Sequence, residues 1–199
     1  MNVVMAVKEN PLLRRIYDAL TWIVRIMPCY LFRERLLQEE GLNVKPRLDG
    51  CEIAPLQSFD IRAISAHPEV IESEDVLQER LANGCLCLGL KHRGDIIAYT
   101  MANLRDGPFG LKDDEAYLFS TRTFKAYRGK NLAPYLRYHL YRHLARTGRT
   151  KLFSTSSLFN SSAIKFKKKL KAKPCKLFLQ ISLFKKYNWN ILLKDYEMK

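Results

Sequence analysis

No two cysteines of this chain stand in a CxxC spacing, and none of the five, Cys29, Cys51, Cys85, Cys87 and Cys175, has a histidine partner at zinc-finger spacing. That excludes a finger-type structural zinc, and the odd count fits a reducing compartment, so the expected location is cytoplasmic. Long apolar runs are missing too. The longest near the N-terminus is broken by Arg25 and Pro28, far short of the roughly 18 to 20 residues that span a bilayer. No charged segment followed by an apolar stretch and a small-residue cleavage site marks the Met1 start, so no secretory signal is expected. No segment repeats at a fixed period, no Walker A pattern occurs, and Ser154 to Ser157 lacks the glycine elbow of hydrolases. Acidic residues are in deficit. Against 34 Lys and Arg stand 20 Asp and Glu, a net charge of +14. Such an excess favours an anionic partner, whether nucleotide cofactor, nucleic acid or acidic membrane face, without choosing among them.

At 199 residues the chain can bury a core and reads as one domain with an appendage. The appendage is an N-terminal helical extension, residues 1–48. Within it a helix is expected from Pro11 to about Met27, where Pro28 should kink or end it, and a second from about Tyr30 to Glu40, ended by Gly41. Arg14, Asp18, Thr21 and Arg25 share one stripe, while Leu13, Ile16, Tyr17, Leu20, Ile23, Val24 and Met27 cover the other. A basic amphipathic helix of this kind packs on the following domain, on a second subunit as in a homodimer, or peripherally on an anionic membrane through residues 11–40. The sequence leaves all three open. Asn43 to Gly50, with Pro46 and Asp49-Gly50, reads as the linker into the main domain, residues 49–199.

In that domain Cys51 to Leu56 reads as a strand, Ser58 caps a helix to about Ala66, and Ser73 to Asn83 forms another, stopped by Gly84. Cys85 to Lys91 and Ile96 to Leu104 are strands joined through His92-Arg93-Gly94-Asp95, a hairpin signal. A strand from Glu115 leads to a helix from about Ala133 to Thr147, closed by Gly148. Leu132, Leu136, Leu140 and Leu144 give this helix an inward face, with Arg137, Arg142 and Arg146 expected towards water. Thr150 to Ser156, Asn160 to Leu170, Lys176 to Leu183 and Ile191 to Tyr196 follow as strand, helix, strand, strand. The order is β-α-α-β-β-β-α-β-α-β-β, an α/β (α+β) pattern.

Function concentrates in Glu115 to Ala133, EAYLFSTRTFKAYRGKNLA. Gly129 allows backbone to approach a ligand closely, and Asn131 tolerates a left-handed turn. The following helix points free N–H groups and its positive dipole end back at the loop, a setting for phosphate. Arg128-Gly129-Lys130-Asn131-Leu132-Ala133 resembles motif A of the Gcn5-related N-acetyltransferase (GNAT) superfamily, with Asn131 where the family usually has glycine. The order of elements, too, is similar to that of the GNAT fold, a mixed, mostly antiparallel sheet flanked by helices that splays at its fourth and fifth strands. The resemblance covers about Cys51 to Lys199.

It implies an N-acyltransferase that uses acetyl-CoA or another acyl-CoA, with the pyrophosphate on the amides of residues 128–133 and an amine of unknown identity as acceptor. Asp114-Glu115-Ala116 is similar to the strand opening of ribosomal-protein alanine N-acetyltransferases, which makes Glu115 the candidate base. Its competing reading is a solvated strand-end charge. Arg122, Thr123 and Phe124 fall where the family bonds the pantetheine arm through backbone amides. Asn160-Ser161-Ser162-Ala163 matches a second family motif, although Asn160 also serves simply as an N-cap. Lys167 stands where the family usually has a tyrosine that protonates the leaving thiolate, and Leu170-Lys171-Ala172 replaces the usual Leu-Gly-Phe. The resulting alternative is a catalytically degenerate acyl-CoA-binding module attached to a membrane or partner. A lysine run from Lys165 to Lys176 contains no acidic residue. Without an RNA-binding signature beside it, nucleic acid is not an expected partner. His139 and His143 are one turn apart, but Leu140 stands where HExxH has its glutamate and no third ligand is evident, so no metal is expected.

Overall fold

The computed structural model describes residues 23–34, 45–184 and 186–196. Along the chain run β1 (Val24–Glu34), β2 (Cys51–Pro55), α1 (Ser58–Ser65), α2 (Glu74–Ala82), β3 (Leu86–His92), β4 (Asp95–Asn103), β5 (Glu115–Thr123), a 3-10 turn (Lys125–Tyr127), α3 (Leu132–Arg146), β6 (Lys151–Ser157), α4 (Ser161–Lys169), β7 (Lys173–Leu183) and β8 (Tyr187–Asp195). From β2 onwards the order is the one expected from the sequence, and the sheet is mixed and mostly antiparallel. Two compact units divide the chain. The larger is Phe32–Thr155 with Ser161–Lys173, and the smaller takes in Ser156–Asn160, Pro174–Lys199 and the N-terminal part of the chain to Leu31.

In the larger unit the strand order is β2-β3-β4-β5-β6. The first four pair antiparallel, and β5 runs parallel to β6 over Glu115–Tyr117 and Lys151–Phe153. Arg93 and Gly94 both take positive φ, at 53° and 88°, as a tight hairpin matched to strand twist requires. Helix α1 begins one residue earlier than the expected Ser58 cap: Gln57 and Asp60 form a reciprocal capping box. Ser73 caps α2 by accepting from Val76 N at 3.5 Å.

Side-chain alternation along β4 divides the apolar interior in two. Ala98 and Ala102 pack with Leu132, Leu136, Leu140 and Leu144 of α3. Tyr99 and Met101 pack with Ile61, Ile64 and Leu77 of α1 and α2. The leucine stripe therefore faces the sheet, as its four-residue spacing requires.

Three expectations need correction. Residues 24–34 are strand, not the end of one helix and the start of another; residues 11–22 and 35–40 of those helices lie outside the described residues. Pro28 was the misleading signal. It stops a helix, but in β1 its carbonyl accepts from Leu158 N at 3.0 Å, and the strand tolerates the missing donor. Strand β8 starts at Tyr187, four residues before the expected Ile191. Arg137 is buried, at 2% exposure, whereas Arg142 and Arg146 do face outwards.

The reason lies in a buried charge cluster. Glu34, at the end of β1, accepts hydrogen bonds from Ser154 Oγ and Tyr141 Oη and pairs with Arg137 Nε at 3.4 Å and Lys167 Nζ at 3.5 Å. Lys167 also donates to Ser154, and Arg137 reaches Thr100 Oγ1 at 3.3 Å. Burial alone would raise the Glu34 carboxyl, but Arg137 and Lys167, helped by the two hydroxyls, hold it below its ordinary value. Tyr141 is driven up by burial and by Glu34. An unpaired charge in this position would cost several kcal/mol, so each partner retains the others.

In the smaller unit the strand order is β1-β7-β8. The β7–β8 hairpin registers from Lys176 with Asp195 to Leu183 with Tyr187. Beside it, Phe184 N donates to Ile23 O at 2.8 Å and Cys175 Sγ to Leu31 O at 3.3 Å. Among the described residues no helix is long and apolar enough to cross a membrane.

Burial, opposed by Glu34, pushes the Lys167 ammonium down from 10.5 to about 8. Between those values the unfolded chain holds a proton that the folded chain has released, so folding gains stability as pH rises through the window. Urea unfolding of the wild type, referenced to Lys167→Met, should gain on the order of 1 kcal/mol per pH unit between about pH 8 and 10. A difference that stays flat with pH would contradict this.

Candidate functional site

The site begins where β5 parts from β6. The parallel ladder with β6 ends at Tyr117 and Phe153, and beyond it Tyr117 Oη and Thr155 Oγ1 share a hydrogen bond of 2.6 Å. On the other side, Met101 registers with Phe119 but Tyr99 with Arg122, so Thr100 faces two residues, Ser120 and Thr121. Ser120 takes a φ of 47°. This is a β-bulge, which interrupts the ladder and bends the strand. Thr100 and Thr121 hydroxyls share a bond of 2.8 Å on the α3 side.

After β5 the chain makes the 3-10 turn and enters the loop. Gly129 has φ 80° and Asn131 φ 61°. A Cβ built on Gly129 meets no atom within 4 Å, so glycine is required there by backbone angle and not by crowding from the protein itself. Asn131 takes the positive φ that the family's usual glycine would supply. Its side chain is held on both sides, donating through Nδ2 to Lys45 O at 2.9 Å and accepting through Oδ1 from Lys169 Nζ at 2.6 Å. Helix α3 starts at Leu132, and the proline of its first turn, Pro134, is tolerated because those N–H groups have no partner in the helix. Leu132 is buried and anchors the turn; Ala133 is partly exposed above it. Lys130 Nζ sits over the Tyr127 ring at 5.4 Å, and Lys130 O accepts from Arg47 N at 2.9 Å. Two residues of positive φ in a loop that leads into a helix N-terminus give a setting for an anion, here flanked by Arg128, Lys130 and Lys169. The residue types fit a phosphate group.

Of the other residues expected to act, Arg122 and Thr123 end β5 and Phe124 leads into the turn. Arg122 donates through its guanidinium to Glu69 O, Thr123 O accepts from Arg128 Nε at 3.0 Å, and Phe124 is buried with His67 stacked on it at 3.6 Å. Thr123 Oγ1 is buried without a hydrogen-bond partner. Glu115 starts β5, where its Oε2 accepts from Lys112 N at 3.0 Å and closes a turn. It lies five positions before Ser120, about 16 Å along the chain, so it could act on a group at the bulge only through intervening water. Asn160 belongs to the smaller unit and immediately precedes α4, with its N–H donated to Ser157 O at 3.1 Å. Lys167 is committed to Glu34 and Ser154 in the core. Lys171 adopts φ 55°, keeping at a lysine the left-handed turn that glycine usually makes.

Sequence reasoning missed the bulge at Ser120, the Tyr117–Thr155 bridge and the loop between α1 and α2 that meets the end of β5. It also missed a group of buried polar side chains on the α1–α2 side of β4. There the Tyr99 hydroxyl and Glu72 Oε2 are buried with no hydrogen-bond partner, and Arg80 NH1 lies 3.5 Å from Glu72 Oε1. Burial first, then Glu72, push the Tyr99 phenol up to about 12. A separate cleft of about 620 Å³, lined by Pro55 to Ser58, Gln78 and Cys85 among others, shares no residue with the phosphate loop.

The model of the Acetyltransferase (GNAT) family matches residues 53–171, more than half of the chain, including β5, the loop and α4. The chain belongs to the GNAT acetyltransferase family. Among solved structures it is similar to a protein from Drosophila (TM-score 0.61, 15% identity, covering 85% of this chain and 56% of that one). It is also similar to a GCN5-related N-acetyltransferase from Sphaerobacter thermophilus (0.59, 12%, 85% and 56%). A third is a tandem GNAT protein from the clavulanic acid biosynthesis pathway (0.59, 15%, 86% and 58%). At such identities the likeness shows the GNAT fold alone. This chain spans somewhat over half the length of each of the three. No match was found among curated proteins.

Asn131 separates backbone strain from hydrogen bonding. Asn131→Ala keeps a side chain at positive φ and removes both bonds, and should cost about 1–2 kcal/mol in chemical denaturation. Asn131→Gly, which adopts this φ freely, should recover part of that loss. Equal losses in the two variants would leave φ without a role.

Proposed function

We propose that this GNAT-family chain is an acyl-CoA-dependent N-acyltransferase that moves the acyl group of acetyl-CoA or another acyl-CoA to an amine by direct attack. The observation that carries the reading is the pair of positive φ values at Gly129 and Asn131 between a bulged strand and a helix N-terminus. Arg128, Gly129, Lys130, Asn131, Leu132 and Ala133 would hold the pyrophosphate through amides and two basic side chains. Arg122, Thr123 and Phe124 would offer backbone groups to the pantetheine arm.

The bound thioester supplies an activated carbonyl carbon and a thiolate leaving group. At the Ser120 bulge, backbone groups freed from the ladder are available to the carbonyl oxygen, where donors aimed at developing charge lower the barrier most. Glu115 would take the proton of the acceptor amine through water. Lys167 has no part in that exchange, because its ammonium is already shared between Glu34 and Ser154. The acceptor side is the α1–α2 face of β4 and β5, where Glu72 Oε2 and the Tyr99 hydroxyl retain unused hydrogen-bonding capacity. Both can accept from an amine N–H.

Calorimetry with CoA and acetyl-CoA tests this reading. The wild type should bind both, and Gly129→Leu should bind at least about tenfold more weakly, ~1.4 kcal/mol, while still unfolding cooperatively, at a temperature lowered by the strain of a side chain at φ 80°. A folded wild type that binds neither ligand, or a Gly129→Leu variant with unchanged affinity, would contradict it.

A further inference from the structure

The phosphate loop already has a carboxylate on it. Glu69 lies in the connection between α1 and α2, and its Oε1 accepts from the backbone N–H of Lys125 at 2.6 Å. Its Oε2 forms an ion pair with the Arg128 guanidinium. Those two donors stand at the junction of the strand end and the loop, where the proposed function puts the cofactor's anionic end. The rest of the connection is fastened to the same strand. Glu69 O accepts from Arg122, His67 stacks on Phe124 with rings 3.6 Å apart and 4° from parallel, and Glu69 N donates to His67 Nδ1 at 3.2 Å. Each of these contacts with the end of β5 and the turn after it falls on a residue assigned to cofactor binding or on its immediate neighbour.

We propose that Glu69 is an internal anion that holds the α1–α2 connection down across the end of β5, and that acyl-CoA binds only after this strap is displaced. The inference rests on the acyl-CoA reading of the loop. Its logic is competition: the Arg128 and Lys125 N–H groups that hold Glu69 are not free for a phosphate oxygen at the same time, and two anions side by side repel. The strap has the means to move. The Arg128 side chain is 56% exposed and that of Glu69 25%, so water can replace both bonds, and residues 66–73 lie outside the two helices they join. If the strapped form predominates, apparent cofactor affinity is reduced by the fraction of molecules that are open. Glu69 is then a gating group, which sets how much cofactor is needed before the site fills, and lifting it uncovers the strand end that the acceptor must also reach.

The test compares CoA binding by calorimetry for the wild type and Glu69→Gln, which keeps the shape and removes the charge. His67→Ala, which weakens the strap without touching either donor, is the second variant. Both should bind CoA several-fold more tightly than the wild type. Hydrogen–deuterium exchange of the wild type with CoA should show faster exchange over residues 66–73 together with slower exchange over 125–133. Slower exchange over 125–133 with no change over 66–73, or Glu69→Gln binding equal to or weaker than wild type, would remove the strap and leave the cofactor reading intact. No CoA effect on any variant or segment would remove both.

Discussion

The larger unit depends on one buried carboxylate. Glu34 has no access to water, and it is kept ionised by Arg137 from α3 and Lys167 from α4, with Ser154 of β6 and Tyr141 of α3 completing its hydrogen bonds. Four elements therefore share one charge. Loss of any partner would strand the rest in a medium that cannot solvate them, which makes the relative placement of Glu34, β6, α3 and α4 nearly all-or-none. Arg137 also carries this constraint to the strands through Thr100, whose hydroxyl meets that of Thr121 beside the bulge.

That cluster explains the site by exclusion as well as by support. Helix α3 cannot shift without breaking the Arg137 and Tyr141 contacts, so its N-terminus stays where the chain leaves β5, and the turn between them must pass through Gly129 and Asn131 in the left-handed region. The same cluster removes Lys167 from the chemistry that its place in the family pattern suggests. What is left at the centre is mostly backbone: amides at a helix start, a bulge, and a strand edge. Backbone groups of this kind bind and polarise without depending on residue identity, which fits a chain that departs from the family at Asn131, Lys167 and Lys171 yet keeps the geometry at two of those places.

Much of this was legible in the sequence where the determinant is local. The leucines from 132 to 144 repeat within one helix, the Arg93-Gly94 turn is decided by two residues, and Arg128 to Ala133 spells out a backbone path. The rest was not, because its determinants meet only in three dimensions. Glu34 lies more than 100 residues from Arg137, Tyr141 and Lys167, so nothing near it marks it as buried, and a proline among apolar residues reads as a helix end. The Ser120 bulge has no side-chain signature. Glu69 is one acid in an acidic surface stretch until the fold lays it on Arg128.

The central claim is that the Gly129–Asn131 turn holds a cofactor phosphate. A crystal structure of the chain grown with CoA tests it most directly. The account predicts pyrophosphate oxygens within hydrogen-bond reach, about 2.7–3.2 Å, of amides between residues 129 and 133, with pantetheine alongside β5 beyond Ser120. Electron density for CoA elsewhere on the molecule, with this turn unchanged and its amides facing solvent, would contradict it.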